Sequence, residues 1–334
     1  MKIALFEGPS GDRPFIALIL LLIGVFALAL QDTLVKYMSV QTSFWQFQTL
    51  RSSGNIVFTI LLALAAGSIR LIIPKRWRPV CLRAGLMTVC MFCFFAGAPY
   101  LSISQMAAGL YTYPLFVCLL AAPVLGEKVG IWRYTAVCLG GVGAALILNP
   151  WADDFSPVQI LPILAGFFYA TNILTIRKAC RDESPLALAF VVGIAFILCG
   201  LLGILLLTMF PLSTELQTSM PFVAIGWPEL TLVVAGFALF SSVLNLTGNV
   251  CLSRAYQTAD SSLLAPLDFS YLIFTAIWGK ILFETWPPPI AILGMAMIAS
   301  AGIIIAWRER INSKHRESQK QPIPKQPPDG LKRV

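Results

Sequence analysis

The stretch LYTYPLFVCLLAAPVLGEKVGIWRYTAVCLGGVGAALIL, residues Leu110–Leu148, joins an aromatic-rich apolar run to a run rich in Gly and Ala through one glutamate, Glu127. The stretch LDFSYLIFTAIWGKILFETWPPPIAILGMAMIASAGIIIAW, residues Leu267–Trp307, repeats this order around Glu284, 157 residues later. Self-similarity at a fixed separation predicts a fold that is built from two similar halves.

The composition indicates that both halves lie in a membrane. Hydrophobic residues make up 57% of the 334 residues and charged residues 12%, against about 25% charged residues in soluble domains. Ten apolar runs are each long enough to cross a bilayer as a helix, and they lack the alternation of barrel strands. The ten runs are Pro14–Met38, Phe44–Gly67, Val80–Ala98, Leu101–Leu125, Ile131–Leu148, Val158–Arg177, Leu186–Leu212, Leu230–Ser253, Ser262–Phe283 and Pro288–Trp307.

Five spans per half is an odd number, so the two halves enter the membrane in opposite orientations. Inverted repeats of this kind are typical of secondary transporters. We therefore predict an all-α integral membrane protein with ten transmembrane helices in two inverted five-helix repeats. The first repeat covers 14–150 and the second 158–307, with a cytoplasmic tail at 1–13 and a disordered basic tail at 308–334.

Basic residues predict the orientation. With the N-terminus placed inside, 21 of the 24 Lys and Arg residues fall on the inner side and the other three within spans. This asymmetry follows the positive-inside rule. We predict a multi-pass protein of the inner membrane with both termini cytoplasmic. The net charge of +8 reflects the cytoplasmic loops and tail, so the predicted partner is the lipid bilayer and not a nucleic acid.

The residues that enzymes and metal centres require are not assembled anywhere in the sequence. The single histidine, His315, lies in the C-terminal tail, and Cys90 and Cys93 have no further ligand types nearby. Two cysteines alone do not hold a metal, and buried cysteines commonly pack as small apolar residues. We predict no catalytic residues, no metal and no cofactor, and therefore no enzyme.

Three further stretches carry a resemblance to a known family. These are VLGEKVGIWRYTAVCLGGVGAALILNP (Val124–Pro150), TIRKACRDESPLALAF (Thr175–Phe190) and LSRAYQTADSSLLAPLDFSYLIFTAIWGKILFETWP (Leu252–Pro287). They resemble the drug/metabolite transporter superfamily, EamA type, and the resemblance covers about Phe15 to Arg310. It implies two five-helix bundles around a central cavity, which is lined by the first, third, fourth, sixth, eighth and ninth helices. It also implies transport of a small organic solute by alternating access.

Polar side chains on one face of otherwise apolar spans are the candidate substrate-binding residues. Such faces are costly in lipid, so they should point at water or at one another. Hydrogen bonding between helices is the alternative role. The candidates are Tyr111 and Tyr113 in the fourth span, Tyr169 and Asn172 in the sixth, Asn245 and Asn249 in the eighth, and Asp268 and Tyr271 in the ninth.

Charged residues within spans form a second set of candidates. Asp32 has two predicted partners, Lys36 on its own helix and Arg51 on the next. An isolated charge in the membrane is costly, so we predict ion pairing that stabilises the helices, with an outer gate or a substrate anchor as the alternative. Asp268 has no cation at its depth, and it is the candidate for proton coupling or substrate contact.

The aromatic side chains of the candidate cavity favour a planar or amphipathic organic solute over an inorganic ion. An aromatic amino acid or a vitamin such as riboflavin would fit. The alternatives are an exporter of amino acids, drugs or S-adenosylmethionine-like metabolites and, more remotely, a membrane scaffold that transports nothing. A ladder of small residues, Ala136, Gly140 and Ala144, predicts close helix packing within the chain or, alternatively, in a homodimer.

Overall fold

The protein is helical throughout the part that a computed structural model describes, which is residues 14–125, 131–149, 156–258 and 261–320. These residues contain no strand, as the sequence predicts. The α-helices are α1 (Pro14–Met38), α2 (Phe44–Ala65), α3 (Trp77–Ala96), α4 (Ile103–Leu110), α5 (Tyr113–Leu125), α6 (Ile131–Leu148), α7 (Leu161–Ala179), α8 (Pro185–Met209), α9 (Thr214–Ser219), α10 (Pro221–Ala224), α11 (Leu232–Thr258), α12 (Ser261–Asp268), α13 (Ser270–Phe283) and α14 (Pro289–Lys320).

Eight helical stretches within the described residues are long and apolar enough to cross a membrane. They lie in α1, α3, α4–α5, α7, α8, α11, α12–α13 and α14. Helix α6 contributes a shorter apolar segment, Tyr134–Leu148, and α2 is a 22-residue helix with many polar side chains. The predicted all-helical membrane fold is confirmed, whereas the count of ten spans stays a prediction.

Two predicted spans are interrupted by a break in the helix. The fourth span divides into α4 and α5 at Tyr111 and Thr112, and the ninth divides into α12 and α13 at Phe269. Thr112 closes the end of α4, because its Oγ1 donates to the Gly109 carbonyl at 2.6 Å. Thr112 and Phe269 are 157 residues apart, which is the separation of the sequence repeat.

The packing of the helices repeats when the two halves are exchanged. Helix α1 of the first half packs against α11 of the second. The equivalent contact joins α7, the counterpart of α1, to α3, the counterpart of α11. Helices α2 and α8 pack against each other, as do α6 and α14. Each of these two pairs joins a helix to its counterpart, as expected for two inverted repeats.

Glycines allow the closest helix crossings. At the α6–α14 crossing, a Cβ added to Gly143 would lie 2.7 Å from the Gly294 carbonyl oxygen. Ala136 and Ala144 are buried on the same helix, and Gly140 packs against Leu115. The predicted small-residue ladder therefore packs within the chain; a homodimer stays a prediction.

The last helix differs from the prediction. Helix α14 continues to Lys320, although the sequence predicts a disordered tail from 308. The segment from Ile303 to Lys320 contains neither Gly nor Pro, so the chain offers no signal that stops the helix there. Residues 1–13, Glu127 and 321–334 lie outside the described residues.

Candidate substrate cavity

A cavity of about 490 Å³ lies between the two halves, within the range that small-molecule sites occupy. Helices α1, α2, α3, α4, α5, α7, α8, α11, α12 and α13 contribute to its wall. Because the helices around it are mainly apolar, the polar groups on its wall are the candidates for orienting a bound solute.

Seven of the eight predicted substrate-binding residues lie on this wall. They are Tyr111, Tyr113, Tyr169, Asn245, Asn249, Asp268 and Tyr271. Asn172 does not line the cavity; only 2% of its surface is exposed, in the interior of the bundle. Helix α7 packs against α3 and α5, and this packing rotates Asn172 away from the cavity while Tyr169 faces it.

The two helix breaks meet at the cavity. The Tyr111 hydroxyl, at the first break, donates to the backbone carbonyl of Asp268 at 3.2 Å, at the second. The Tyr113 hydroxyl donates to Oδ2 of Asp268 at 3.4 Å. A helix break inside a membrane frees backbone groups, which are tolerated where they line a cavity or find a partner in the protein. Tyr111 supplies such a partner.

Four tyrosine rings form a continuous array on the wall. Tyr271 stacks on Tyr111 with ring centroids 5.0 Å apart and an interplanar angle of 13°. Tyr111 packs edge to face with Tyr113 at 5.8 Å, and Tyr113 does the same with Tyr169 at 4.9 Å. These separations are typical of favourable aromatic pairs, so the array offers aromatic faces and edges held in fixed positions.

A hydrogen-bonded chain of amides leads to Asp32. Asn249 Nδ2 donates to the backbone carbonyl of Asn245 at 2.8 Å and to its side-chain Oδ1 at 3.3 Å, and Asn245 Nδ2 donates to Gln31 Oε1 at 2.8 Å. Gln31 Nε2 then donates to Asp32 Oδ1 at 2.8 Å, and the Tyr271 hydroxyl donates to Asp32 Oδ2. Helices α1, α11 and α13 are thereby joined by polar groups along one side of the cavity.

The predicted ion pairing of Asp32 is wrong. In the part of the chain that the structure describes, neither Lys36 nor Arg51 lies within ion-pairing distance of Asp32. Lys36 points away from the cavity, where its Nζ donates to the Ala98 carbonyl at 2.6 Å and lies 5.1 Å from the ring centre of Phe283. The partners of Asp32 are amide and hydroxyl donors instead.

Arg51 lies on the cavity wall and is 2% exposed. Its Nη2 donates to Gln48 Oε1 at 2.7 Å, and its guanidinium lies 5.6 Å from the ring centre of Phe95. These contacts orient the side chain without neutralising its charge.

Sequence reasoning missed several wall residues. Gln31, Asn55, Arg83 and Tyr256 line the cavity but are absent from the predicted set. Two of them carried a usable signal: Gln31 adjoins Asp32, and Tyr256 follows Asn249 at a spacing that keeps it on the same side of α11.

The two ends of the bundle differ. We define the loop end by residues 39–43, 97–102 and 210–231, and the terminal end by residues 66–76 and 180–184. At the loop end, three side chains of the α1–α2 connection and the start of α2 donate to backbone carbonyls of the segment before α11: Ser43 to Gly226, Trp45 to Val223 and Gln46 to Pro228, each at 2.8 Å.

The cavity extends instead toward the terminal end. Thr59, Arg83, Pro185 and Tyr256 line it there, and each lies in the part of its helix nearest that end. The wall therefore reaches toward the terminal end, whereas at the loop end the segment before α11 accepts the hydrogen bonds of Ser43, Trp45 and Gln46.

The fold and cavity define a polytopic helical membrane protein with two inverted halves around one solute-sized space. The EamA-like transporter family matches residues 15–149 and 157–307, one match for each half. This chain belongs to the EamA-like transporter family, which confirms the resemblance drawn from its sequence. Membership places the chain in a family of transporters.

Individual relatives carry different names. A riboflavin transporter of Vibrio cholerae is 33% identical over 216 residues, 64% of this chain and 66% of that protein. An S-adenosylmethionine uptake transporter of Rickettsia prowazekii is 27% identical over 212 residues, 63% of this chain and 65% of that protein. Each match spans just under two thirds of the relative.

A solved crystal structure shares the fold. It has a TM-score of 0.55 at 18% identity, and the match covers 88% of this chain and 98% of that one. At this identity, the likeness concerns the fold alone.

Proposed function

We propose that this protein moves a small organic metabolite with a planar aromatic or heterocyclic ring across the inner membrane by alternating access, and that riboflavin is the leading candidate. The observation that carries the proposal is the array of Tyr271, Tyr111, Tyr113 and Tyr169 at the two helix breaks. Planar rings stack favourably on such faces. The riboflavin transporter of Vibrio cholerae among the relatives supports the same choice.

The amide side of the cavity suits the rest of such a solute. Asn245, Asn249 and Asn55 line it, and each amide group can both donate and accept hydrogen bonds. A polyhydroxylated chain, such as the ribityl chain of riboflavin, presents hydroxyl groups that also donate and accept. Aromatic faces on one side and amides on the other therefore match an amphipathic solute.

The charge distribution gives the proposed orientation. Under the positive-inside rule, the terminal end is cytoplasmic, because residues 70–83 contain five Lys and Arg residues and residues 177–181 contain three, all at or next to that end. The cavity then opens to the cytoplasm in this conformation, and the hydrogen bonds at the loop end close the outer side. Transport requires that these bonds break while the terminal end closes, as in other inverted-repeat transporters.

A second candidate solute is S-adenosylmethionine. Asp32 and Asp268 both face the cavity, and two acids favour a solute that carries positive charge. The solute's adenine ring would stack on the tyrosines as a flavin does. The name of the Rickettsia prowazekii relative supports this candidate.

Uptake of radiolabelled riboflavin tests the proposal. Bacteria that lack their own riboflavin uptake would express the wild type, Tyr111→Leu or Tyr134→Leu, with uptake normalised to protein in the membrane. Tyr134 is 53% exposed on the outer surface of α6, so its variant is the matched control. We expect uptake with the wild type and control, loss with Tyr111→Leu, and competition by excess lumichrome. Competition by S-adenosylmethionine alone would favour the second candidate, and uptake no greater than in empty cells would contradict the first.

A further inference from the structure

Arg51 and Asp32 share one cavity without forming an ion pair. Both line the wall, and their charges attract each other electrostatically. They are not within ion-pairing distance, although both belong to the described residues. Opposite charges in a membrane protein usually pair directly, because an unpaired charge is costly there. Arg51 and Asp32 face one cavity and stay apart, so both are positioned to contact a solute that enters the cavity.

Each group has hydrogen-bonding capacity that the protein does not use. A guanidinium carries five N–H donors, and Arg51 directs one, on Nη2, at Gln48. Its Nε is buried without a hydrogen-bond partner, as is Nε2 of the adjoining Gln48. Asp32 accepts one hydrogen bond at each carboxylate oxygen, from Gln31 and from Tyr271, and a carboxylate offers about four lone-pair sites.

We propose that Arg51 and Asp32 together form a two-point recognition site for a solute edge that presents a hydrogen-bond acceptor beside a donor. Arg51 would donate to the acceptor and Asp32 would accept from the donor. Two solute groups have this chemistry: the cyclic imide edge of a flavin, where a carbonyl adjoins an N–H, and the zwitterionic head of an amino acid, where a carboxylate adjoins an ammonium.

The tyrosine array places the solute ring next to this site. Tyr271 stacks on Tyr111 and also donates its hydroxyl to Asp32. A ring that packs against the array therefore has Asp32 beside its edge. The flavin form of this assignment rests on the proposed function, whereas the amino-acid form does not.

Ligand binding to purified protein separates these possibilities. Quenching of flavin fluorescence would give the affinity for riboflavin and for 3-methylriboflavin, whose methyl group replaces the imide hydrogen. The proteins are the wild type, Asp32→Ala and Arg51→Met. Lys36→Met is the control, because Lys36 is a nearby cation that does not line the cavity. Asp32→Leu, which also lacks an acceptor, serves in place of Asp32→Ala if the latter does not fold, as judged by monodispersity in detergent.

We expect each cavity variant to bind riboflavin about tenfold more weakly or worse, which is the effect of losing one hydrogen bond to a charged group. Methylation should weaken binding to the wild type by a similar factor, because it removes the imide N–H that donates to Asp32. It should have no further effect in the Asp32 variant, where the acceptor of that hydrogen bond is already absent. Lys36→Met should bind both flavins as the wild type does. Equal loss on methylation in the wild type and the Asp32 variant would overturn the assignment, as would no loss in either.

Failure of the proposed function gives a different result. If the wild type binds no flavin, the same proteins are titrated with S-adenosylmethionine, which carries an amino-acid head. Weaker binding in both Asp32→Ala and Arg51→Met, with normal binding in Lys36→Met, would support the two-point site without riboflavin. Unchanged affinity in either cavity variant, or no binding of S-adenosylmethionine to the wild type, would overturn it.

Discussion

A methyl group added at Gly143 should force apart the two helices that end the halves of the protein. Helix α6 crosses α14 at this residue, and the added Cβ would lie 2.7 Å from the Gly294 carbonyl oxygen and 2.9 Å from Cβ of Met297. Both neighbours are rigid parts of α14, so the helices must separate. Gly141, on the same helix, has nothing within 4 Å of the corresponding position.

The two substitutions should change stability in opposite directions. Replacing Gly by Ala inside a helix stabilises it by about 0.5–1 kcal/mol, and Gly141→Ala should show this gain alone. Gly143→Ala has the same gain but adds an overpacking cost of about 1–3 kcal/mol. The free energies of unfolding of the two variants should therefore differ by about 1–3 kcal/mol, the overpacking cost, with Gly143→Ala the less stable.

Unfolding of the purified protein in mixed detergent micelles, followed by circular dichroism, would measure this difference. Gly141→Ala controls for helix propensity and for any effect of the added methyl on detergent binding. Equal stability of the two variants would show that α6 and α14 do not approach as closely as Gly143 indicates, and the packing between the halves would have to be revised.

Three further predictions concern the cavity and the orientation. Asp268→Asn keeps the shape and hydrogen-bonding groups of the side chain but removes its titratable proton. In vesicles, the variant should still exchange solute but lose the accumulation that a pH gradient drives. An unchanged response to the pH gradient would exclude proton coupling at this residue. Tyr271→Phe should lower the free energy of unfolding by about 1.5–3 kcal/mol, because it removes the hydroxyl that donates to the Asp32 carboxylate. Tyr113→Phe should cost less, since its contact with the Asp268 carboxylate is long, 3.4 Å; equal losses of stability would contradict this ranking. In a cysteine-free background, cysteine at Lys178 should react with a membrane-impermeant reagent only from the cytoplasm and cysteine at Glu215 only from outside; the reverse pattern would invert the topology.

The sequence predicts helices well where apolar length alone decides them. The ends of α1 and α6, at Pro14–Met38 and Ile131–Leu148, are those predicted from the apolar runs. The breaks within the fourth and ninth spans were not predicted, although Pro114 and Pro266 lie close to them. A proline near the same point of both halves is a signal of an interrupted helix, and apolar run length does not register it.

The candidate cavity was predicted in composition but not in its contacts. Polar residues in apolar spans identified Tyr111 and Asp268, which the structure brings together through a hydrogen bond across 157 residues. The partner of Asp32 was misassigned, because depth in the membrane placed Arg51 opposite it. The rotation of each helix decides which side chains meet, and that rotation depends on packing with distant helices. Tyr271, 239 residues from Asp32, could not be chosen on sequence grounds.

Counterflow in proteoliposomes tests most directly the claim that this cavity carries a planar organic solute. Purified protein would be reconstituted in liposomes loaded with unlabelled riboflavin, and a trace of labelled riboflavin would be added outside. We predict that the wild type and Tyr134→Leu accumulate label transiently above its equilibrium level and that Tyr111→Leu does not. Label in wild-type liposomes that stays at the level of protein-free liposomes, with the same protein folded and monodisperse before reconstitution, would contradict the claim.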